Sequence, residues 1–314
     1  MTTIILRRHI FKFYLSIILA TIFFLGLATA MIVLFLQNSN QDIVKPKDYI
    51  MLVFGVAVLF MAFYTVFRYY RNAPKIILDG NFISFNAETF PLSDIQKVVL
   101  TGKSDFPYVV DFPMEAATVY FKDGTTKFIY DDMYKNSWEL KSYLKQVIIE
   151  KKNFTAVETN EVSRPELDNE DYDTFKGNQF TSLRGITFWA LIVSFVYMMI
   201  TNDRRPTTEF VLSIALFSIC WLVFHAWLMH YFEVSGKYLV IKNHLFFWKR
   251  KAYRLTDINE IVFETRHRMP NCLRVITKDF KNKLYPAGTL RTKTWLELKK
   301  NLENRQIKVR NECI

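Results

Sequence analysis

The sequence predicts a membrane protein of the α+β class, in which four transmembrane helices form two hairpins and a small antiparallel β-domain follows each hairpin. The first observation is a repeated order, two long apolar runs and then a polar segment rich in aromatic residues, in residues 13–150 and again in 185–310. The second is a skeleton shared by the two polar segments, in which residues 78–84 match 234–240, residues 91–99 match 254–262, and Trp138 matches Trp295. Matching elements in a fixed order indicate a duplicated unit.

Four runs without Asp, Glu, Lys or Arg predict the membrane helices. They cover residues 13–36, 49–67, 186–200 and 210–232. A bilayer core of about 30 Å requires about 20 helical residues, so the first, second and fourth runs are long enough by themselves. The third run reaches this length only if residues 180–185 join it and Arg184 extends toward the interface. We therefore predict helices at about 13–36, 49–67, 183–200 and 210–231.

The distribution of Lys and Arg around these helices predicts their orientation. Cations precede the first and third helices and follow the second, at Arg7, Arg8, Lys12, Arg68, Arg71 and Arg184. Because cytoplasmic flanks are enriched in Lys and Arg, both termini and both β-domains are expected on the cytoplasmic side of a multi-pass protein. The three cysteines show no paired spacing, which suits a reducing compartment.

Turn signals and periodicity divide the first polar segment. An Asp79-Gly80 turn interrupts the alternating residues 75–85, residues 89–100 form a strand pair broken at Ser93-Asp94, and Lys122-Asp123-Gly124 separates two further strands. Residues 137–149 then change to helical spacing. The second segment follows the same order, with predicted strands at 238–241, 244–248, 272–277 and 283–286, a middle element at 252–263 and a helix around Trp295.

Short antiparallel strands that end in one amphipathic helix predict a small curved sheet or partial barrel closed by that helix. The shared element (Pro/Arg)-Leu-(Ser/Thr)-Asp-Ile-x-x-(Val/Ile)-Val, followed by a hairpin and a Trp-bearing helix, resembles the bacterial pleckstrin-homology-like (bPH) domain. Paired membrane helices before each copy resemble bacterial membrane proteins with such domains in series. The resemblance implies PH-like β-domains and the bacterial cytoplasmic (inner) membrane. It also implies a role in envelope stress, or in immunity to membrane-active peptides or toxins.

The predicted organisation has five parts. These are an N-terminal segment and first hairpin (1–71), PH-like domain 1 (72–150), an acidic linker (151–183), a second hairpin (184–231) and a basic PH-like domain 2 (232–314). The linker composition is typical of a mobile acidic tether. Docking of the linker on the basic second domain, which would mask it, is the alternative.

The positive charge is concentrated in the second domain. Residues 232–314 contain 19 Lys and Arg against 8 Asp and Glu, a net +11, whereas residues 72–150 contain 8 against 11. A basic domain tethered near a membrane favours anionic lipid headgroups over nucleic acid as its partner. The candidate lipid contacts are Trp248, Lys249, Arg250, Lys251, Arg254, Arg266 and Arg268. The alternative is that the aromatic residues at 246–248 alternate into the core and the cations form a solvated hairpin tip.

One polar residue within the predicted bilayer is a candidate site. His225 lies in the fourth helix, where an ionisable residue is often functional. The alternative is a neutral His that donates a hydrogen bond across the helix interface or lies near the headgroups. His225 and His230 are separated by about 140° around a helix, so a shared metal site is not expected.

No catalytic motif or cofactor-binding motif is recognisable, so we expect a protein that is not an enzyme and needs no cofactor. The expected function is a membrane-anchored binding or scaffold module, with an accessory subunit or small exporter for an amphipathic or lipid substrate as the alternative. Small residues at Ser16, Ala20, Gly26 and Ala30 suit close contact with the second helix at Gly55 and Ala57, or a homodimer. A partner membrane protein is the other expected contact.

Overall fold

The computed structural model describes residues 3–39, 46–108, 111–155, 167–201, 207–266 and 269–314. They belong to two units, Met1–Val157 and Glu158–Ile314. Each unit combines a helical hairpin with antiparallel sheets, which confirms the α+β class. Arg268 and the loops between the paired helices lie largely outside the described residues.

The helical hairpins contain the long apolar runs of the sequence. In unit 1, a π-helical segment at Ile10–Leu15 leads into α1 (Ser16–Ser39), and α2 covers Pro46–Asn72. In unit 2, α4 covers Leu183–Thr201 and α5 covers Thr208–Trp227. Among the described residues, three helices are long and apolar enough to cross a membrane, namely Ile10–Ser39, Tyr49–Asn72 and Thr208–Trp227, whereas α4 has a shorter apolar stretch at Leu183–Met198.

Unit 1 builds its β-structure from eight strands and one terminal helix. The strands are β1 (Thr3–Ile5), β2 (Ile76–Asp79), β3 (Phe82–Phe85), β4 (Glu88–Pro91), β5 (Ile95–Val99), β6 (Lys103–Phe106), β7 (Phe112–Phe121) and β8 (Thr126–Tyr130). One sheet has the order β1-β2-β3-β4, and the other has β5-β7-β6 with β8 paired to β7. Helix α3 (Ser137–Tyr143) continues as a π-helix through Leu144–Ile149.

Unit 2 repeats this plan. Its strands are β9 (Asp173–Phe175), β10 (His230–Val234), β11 (Tyr238–Asn243), β12 (Arg250–Arg254), β13 (Ile258–Thr265), β14 (Asn271–Thr277), β15 (Asn282–Pro286) and β16 (Val309–Asn311), with α6 (Thr292–Asn304) before the last strand. The sheet orders are β12-β11-β10-β9 and β15-β14-β13-β16. Strand β16 runs parallel to β13.

The internal repeat extends to local irregularities of the backbone. The matched Leu-(Ser/Thr)-Asp triplets form 3₁₀ turns at Leu92–Asp94 and Leu255–Asp257. The strand after each turn then shifts register at the same place, between Ile95 and Lys97 in unit 1 and between Ile258 and Glu260 in unit 2. Such bulges are specific features of a fold, so this agreement is what a duplicated unit would show.

Each hairpin is flanked by two strands that pair with one another. Strand β1 precedes the first hairpin and pairs with β2 after it, with Thr3 opposite Asp79. Strand β9 precedes the second hairpin and pairs with β10 after it, with Asp173 opposite Val234. The chain therefore leaves a sheet, forms two helices and returns to the neighbouring strand of the same sheet. Residues 173–175, which the composition assigned to a linker, belong to this sheet.

Two sequence predictions in unit 2 are wrong. Residues 244–248 form a loop, because the Asn243 side-chain oxygen accepts hydrogen bonds from the backbone N–H groups of Leu245 and Phe246 and turns the chain. The fourth helix ends at Trp227 rather than near residue 231, because His230 already begins β10.

Small residues allow α1 and α2 to pack closely. A Cβ atom at Gly55 would lie 3.0 Å from Ile32 Cγ1 and 3.4 Å from Met31 Cβ. Ala28 is buried in the same region. Gly26, by contrast, has nothing within 4 Å of its Cβ position, so only part of the predicted small-residue stripe contributes.

Each terminal helix carries a tryptophan, but the two tryptophans are buried to different extents. Trp295 is 1% exposed and contacts the rings of Phe232 and Phe263, whereas Trp138 is half-buried. When the buried Leu140 is equated with Leu298, the counterpart of Trp295 is residue 137. The two tryptophans are therefore not equivalent in the core.

We predict that Trp295→Ala costs about 3–5 kcal/mol of unfolding free energy because it leaves a large cavity. Trp138→Ala should cost about 1 kcal/mol, since its side chain is partly solvated. Thermal unfolding of the full chain in mild detergent, followed by far-ultraviolet circular dichroism, compares the two. Equal loss from both variants would contradict the unequal roles.

Candidate functional site

The second unit presents one edge next to the end of α5, and we call it the helix-proximal edge. Strand register brings three segments there, because His230 pairs with Asn243, Met229 bridges Ala287, and His230 Nδ1 lies 2.9 Å from the Pro286 carbonyl oxygen. Cys272 in turn pairs with Pro286, which places the β13–β14 connection at the same end. The edge therefore comprises residues 244–249, the described part of 266–270, and 287–289.

The 244–249 loop is fastened to the last turn of α5. The Asn243 Nδ2 group donates a hydrogen bond to the Ala226 carbonyl oxygen at 2.6 Å, and the His244 N–H donates to Met229 at 3.0 Å. The Asn243 amide thus binds a carbonyl of the last turn of α5, where the helix end leaves carbonyls without an i+4 partner. The position of the loop is consequently fixed relative to the helix that precedes it.

The loop displays aromatic side chains to the outside. Phe247 is 80% exposed and Trp248 is 61% exposed, with their ring centroids 5.0 Å apart. The alternative interpretation, in which these aromatics alternate into the core, is therefore wrong for both residues. Phe246 is half-buried, and Lys249 Nζ lies 4.7 Å from its ring centroid, a cation–π distance. Exposed large aromatics beside a helix end indicate a contact surface.

Three lysines concentrate positive charge near this loop. Burial lowers the pKa of Lys283, and the neighbouring charges of Lys251 and Lys249 lower that pKa further. Lys283 was not among the predicted site residues, because only the folded sheets bring its charge near Lys251 and Lys249; along β15 it lies three residues from Pro286, opposite Val275. Burial also lowers the pKa of the adjacent His244 to about 4, with smaller effects from Lys176 and His230.

The predicted cations do not share one surface. Register places Arg250 opposite Lys242 and Arg254 opposite Tyr238, so Arg254 lies about 13 Å further along the sheet, at 3.3 Å per residue. Arg266 follows β13 and does lie at the helix-proximal edge, because Thr265 pairs with Asn271 beside it. Arg268 is outside the described residues.

Residues 167–175, in the described part of the predicted acidic linker, dock on the β-domain of the second unit. Asp168 pairs with Arg250 at 3.1 Å, and Glu170 pairs with Lys237 at 2.8 Å. Apolar contacts fix the same segment, since Leu167 is buried against the outer face of β11, which is formed by Tyr238 and Val240. For these residues the docking alternative is the observed arrangement, and we call residues 167–175 the acidic strap.

The strap holds Arg250 in an ion pair with Asp168. Exposed ion pairs stabilise by only about 0–1 kcal/mol, so the apolar contact of Leu167 contributes more than the two salt bridges. The hydrogen bond and the charge of Glu170 raise the pKa of Lys237, in keeping with a solvated pair. The strap thus reduces the charge available at one side of the edge.

His225 is buried within the second hairpin. Its ring centroid lies 4.1 Å from that of Trp221 and 6.3 Å from that of Phe188 on α4. Its Nδ1 atom has no hydrogen-bond partner among the described residues. The expected hydrogen bond across the helix interface is therefore absent at this nitrogen within the described part of the chain.

Within the described ranges, no group of three or more His, Cys, Asp or Glu side chains is arranged to hold a metal ion. The most strongly buried ion pairs, Asp131–Lys141 and Glu264–Arg274, link elements within the β-domains. No family model matches the chain, and no curated protein matches it. The exposed aromatics, the cations near them and the apolar hairpins are the features of the described residues that bear on function.

We predict that Asp168→Asn combined with Glu170→Gln increases the amount of anionic lipid that co-purifies with the full chain. The two changes release Arg250 and Lys237 from their carboxylate partners. Quantitative lipid mass spectrometry after purification in mild detergent measures the ratio of anionic to zwitterionic lipid.

The matched control is Glu297→Gln with Glu303→Gln, which removes two carboxylates that pair with lysines along α6. It changes the net charge equally but leaves the strap in place. If both double variants raise the ratio to the same extent, net charge rather than the strap governs lipid retention.

Proposed function

We propose that this chain is a non-enzymatic integral protein of the bacterial cytoplasmic membrane, in which the second unit binds anionic lipid headgroups at its helix-proximal edge. The observation that supports this most directly is the pair of exposed aromatics, Phe247 and Trp248, on a loop fastened to the end of α5. Large aromatic rings are enriched at membrane interfaces, and adjacent cations suit lipid phosphates.

Strand pairing supports four membrane spans rather than three. Because β9 and β10 pair with each other, the segments before and after the second hairpin lie on the same side of any membrane that the hairpin enters. A single crossing by α5 would separate these strands, which supports a crossing by α4 as well. Tilt and the snorkelling of Arg184 accommodate its shorter apolar stretch.

The ends of the first hairpin also lie on one side of a membrane, because β1 pairs with β2. Arg7, Arg8 and Lys12 lie beside these strands, and the preference for cations on the cytoplasmic side supports a cytoplasmic position for both β-domains. Two largely antiparallel sheets and one helix near the end of each unit support PH-like β-domains.

The positive charge of the helix-proximal edge is large enough to contribute to the binding of anionic lipid. Each Lys or Arg close to an anionic leaflet contributes about 1 kcal/mol, so Lys249, Lys251, Lys283 and Arg266 together would contribute about 4 kcal/mol at most. Ions screen this attraction over about 8 Å at physiological salt, so only cations within reach of the headgroups count. Arg254, on the far side of the sheet, is outside this group.

The family resemblance suggests an envelope-stress function, or immunity to membrane-active peptides or toxins, and a homodimer or a partner membrane protein would be compatible with either. The second candidate is an accessory subunit or small exporter for an amphipathic or lipid substrate. The apolar groove of about 340 Å³ between α4 and α5 favours it.

We predict that Lys249→Gln with Lys251→Gln reduces anionic lipid bound to the full chain at least threefold, because the charge at the edge is lost. Lys299→Gln with Lys300→Gln is the control of equal charge. These lysines lie on the half of α6 that reaches the opposite end of the sheet, where Asn301 donates a hydrogen bond to Asp173. Lipid mass spectrometry of each purified variant, at two salt concentrations, provides the comparison.

The control variant and the wild-type chain should retain similar amounts of anionic lipid, and added salt should lower both. Identical lipid content in the two double variants would contradict binding at the helix-proximal edge.

A further inference from the structure

The two hairpins differ in how closely their helices approach. Gly55 lets the backbone of α2 come near α1, whereas the seam between α4 and α5 contains bulky rings. Phe195 on α4 meets Phe217 on α5 at a centroid distance of 6.2 Å, and Phe188 meets His225 at 6.3 Å. Side chains of this size hold the second pair of helices apart.

The separation leaves an apolar groove of about 340 Å³ along the seam. Its walls are apolar apart from Ser218 and include Ile192, Phe195, Val196, Val211, Ile214 and Leu222. Residues 218, 222 and 225 follow at helical spacing, and so do 188 and 192, so Phe188 and His225 lie on the two faces that line the groove. These two side chains close the end of the groove that is nearer to the β-domain.

Polar groups cluster at this closed end. Trp221 Nε1 and His225 Nδ1 are both buried and have no hydrogen-bond partner among the described residues. Arg184, in the first turn of α4, lies close enough for its charge to act on His225. Its Cγ atom is 2.9 Å from the position of a Cβ on Gly288, so it also borders the helix-proximal edge. One cation and two buried nitrogens therefore meet where the groove ends.

We propose that this groove binds one lipid molecule of the inner leaflet, with an acyl chain between α4 and α5 and an anionic headgroup at Arg184. The chain would fill the apolar seam, and Trp221 Nε1 would be able to donate a hydrogen bond to an ester or phosphate oxygen. This proposal depends on the part of the proposed function that places the second hairpin in the bilayer, but it does not depend on the 244–249 loop.

Size favours a lipid chain over a third helix as the occupant. A helix about 10 Å across occupies roughly 120 Å³ per residue, so a volume of 340 Å³ would admit only about three residues. Close helix packing in membranes also relies on small residues at the contact, whereas phenylalanines dominate this seam. A flexible hydrocarbon chain needs neither the volume of a helix nor small residues at the contact.

The first test is native mass spectrometry of the full chain with added phosphatidylglycerol or phosphatidylcholine. We expect one tightly retained phosphatidylglycerol, at least tenfold weaker retention in Ser218→Trp, and no change in Leu216→Trp, which fills no groove because Leu216 is 65% exposed on the opposite face. Arg184→Gln should keep a lipid but lose the preference for phosphatidylglycerol. Wild-type retention in Ser218→Trp would overturn the proposal.

The second test uses the unaltered protein and so does not depend on the folding of a variant. A phosphatidylglycerol with a photoreactive diazirine in its acyl chain is irradiated with the full chain in lipid nanodiscs, and the labelled residues are mapped by peptide mass spectrometry. Preferential labelling of Ile192, Ile214 and Ser218 supports the groove, whereas equal labelling of Leu212 and Leu216 contradicts it.

Failure of this proposal can be distinguished from failure of the proposed function. If groove labelling disappears while the lysine variants of the edge still lose anionic lipid, only the groove site is wrong. If groove labelling persists while those variants behave like wild type, lipid binding at the edge is wrong.

Discussion

The pairing of the strand before each hairpin with the strand after it is the constraint on which the rest of this structure depends. Strands β1 and β9 are only three residues long, yet they join both ends of a helical hairpin to one sheet. Two connections restrict the orientation of a β-domain far more than a single tether would. The short strands are the outermost strands of their sheets and cover the edges of β2 and β10, and each domain is held with one edge toward the helices.

The two units differ at the loop that carries the candidate lipid surface of unit 2. In unit 1 the connection between β3 and β4 is a tight turn at residues 86–87, with the Lys75 N–H donating a hydrogen bond to Asn86 Oδ1. In unit 2 the equivalent connection has six residues and presents Phe247 and Trp248. The shared core sets the fold, and an extended loop at the same position gives the second copy its distinct surface.

Much of this architecture could be predicted from the sequence, because hairpin turns, apolar runs and the repeated Leu-x-Asp-Ile element are local signals. The strands β1 and β9 could not, since three residues show no useful alternation and their partners lie more than 50 residues away. The candidate site was predicted only in part. Lys249, Trp248 and Arg266 lie at the helix-proximal edge, whereas strand register separates Arg254 from them, and the fold brings the charge of Lys283 near Lys249 and Lys251.

The membrane depth of the 244–249 loop is the measurement that decides whether this loop contacts the bilayer. A nitroxide spin label at Phe247→Cys, with Cys220→Ser, Cys272→Ala and Cys313→Ser to remove the native thiols, reports its access to oxygen and to a water-soluble nickel chelate in lipid nanodiscs. We expect oxygen to reach this label more readily than the nickel chelate does. A label at the exposed Thr256, beyond the far end of β12, should show the reverse. Equal access of nickel to both labels would contradict contact between the loop and the membrane.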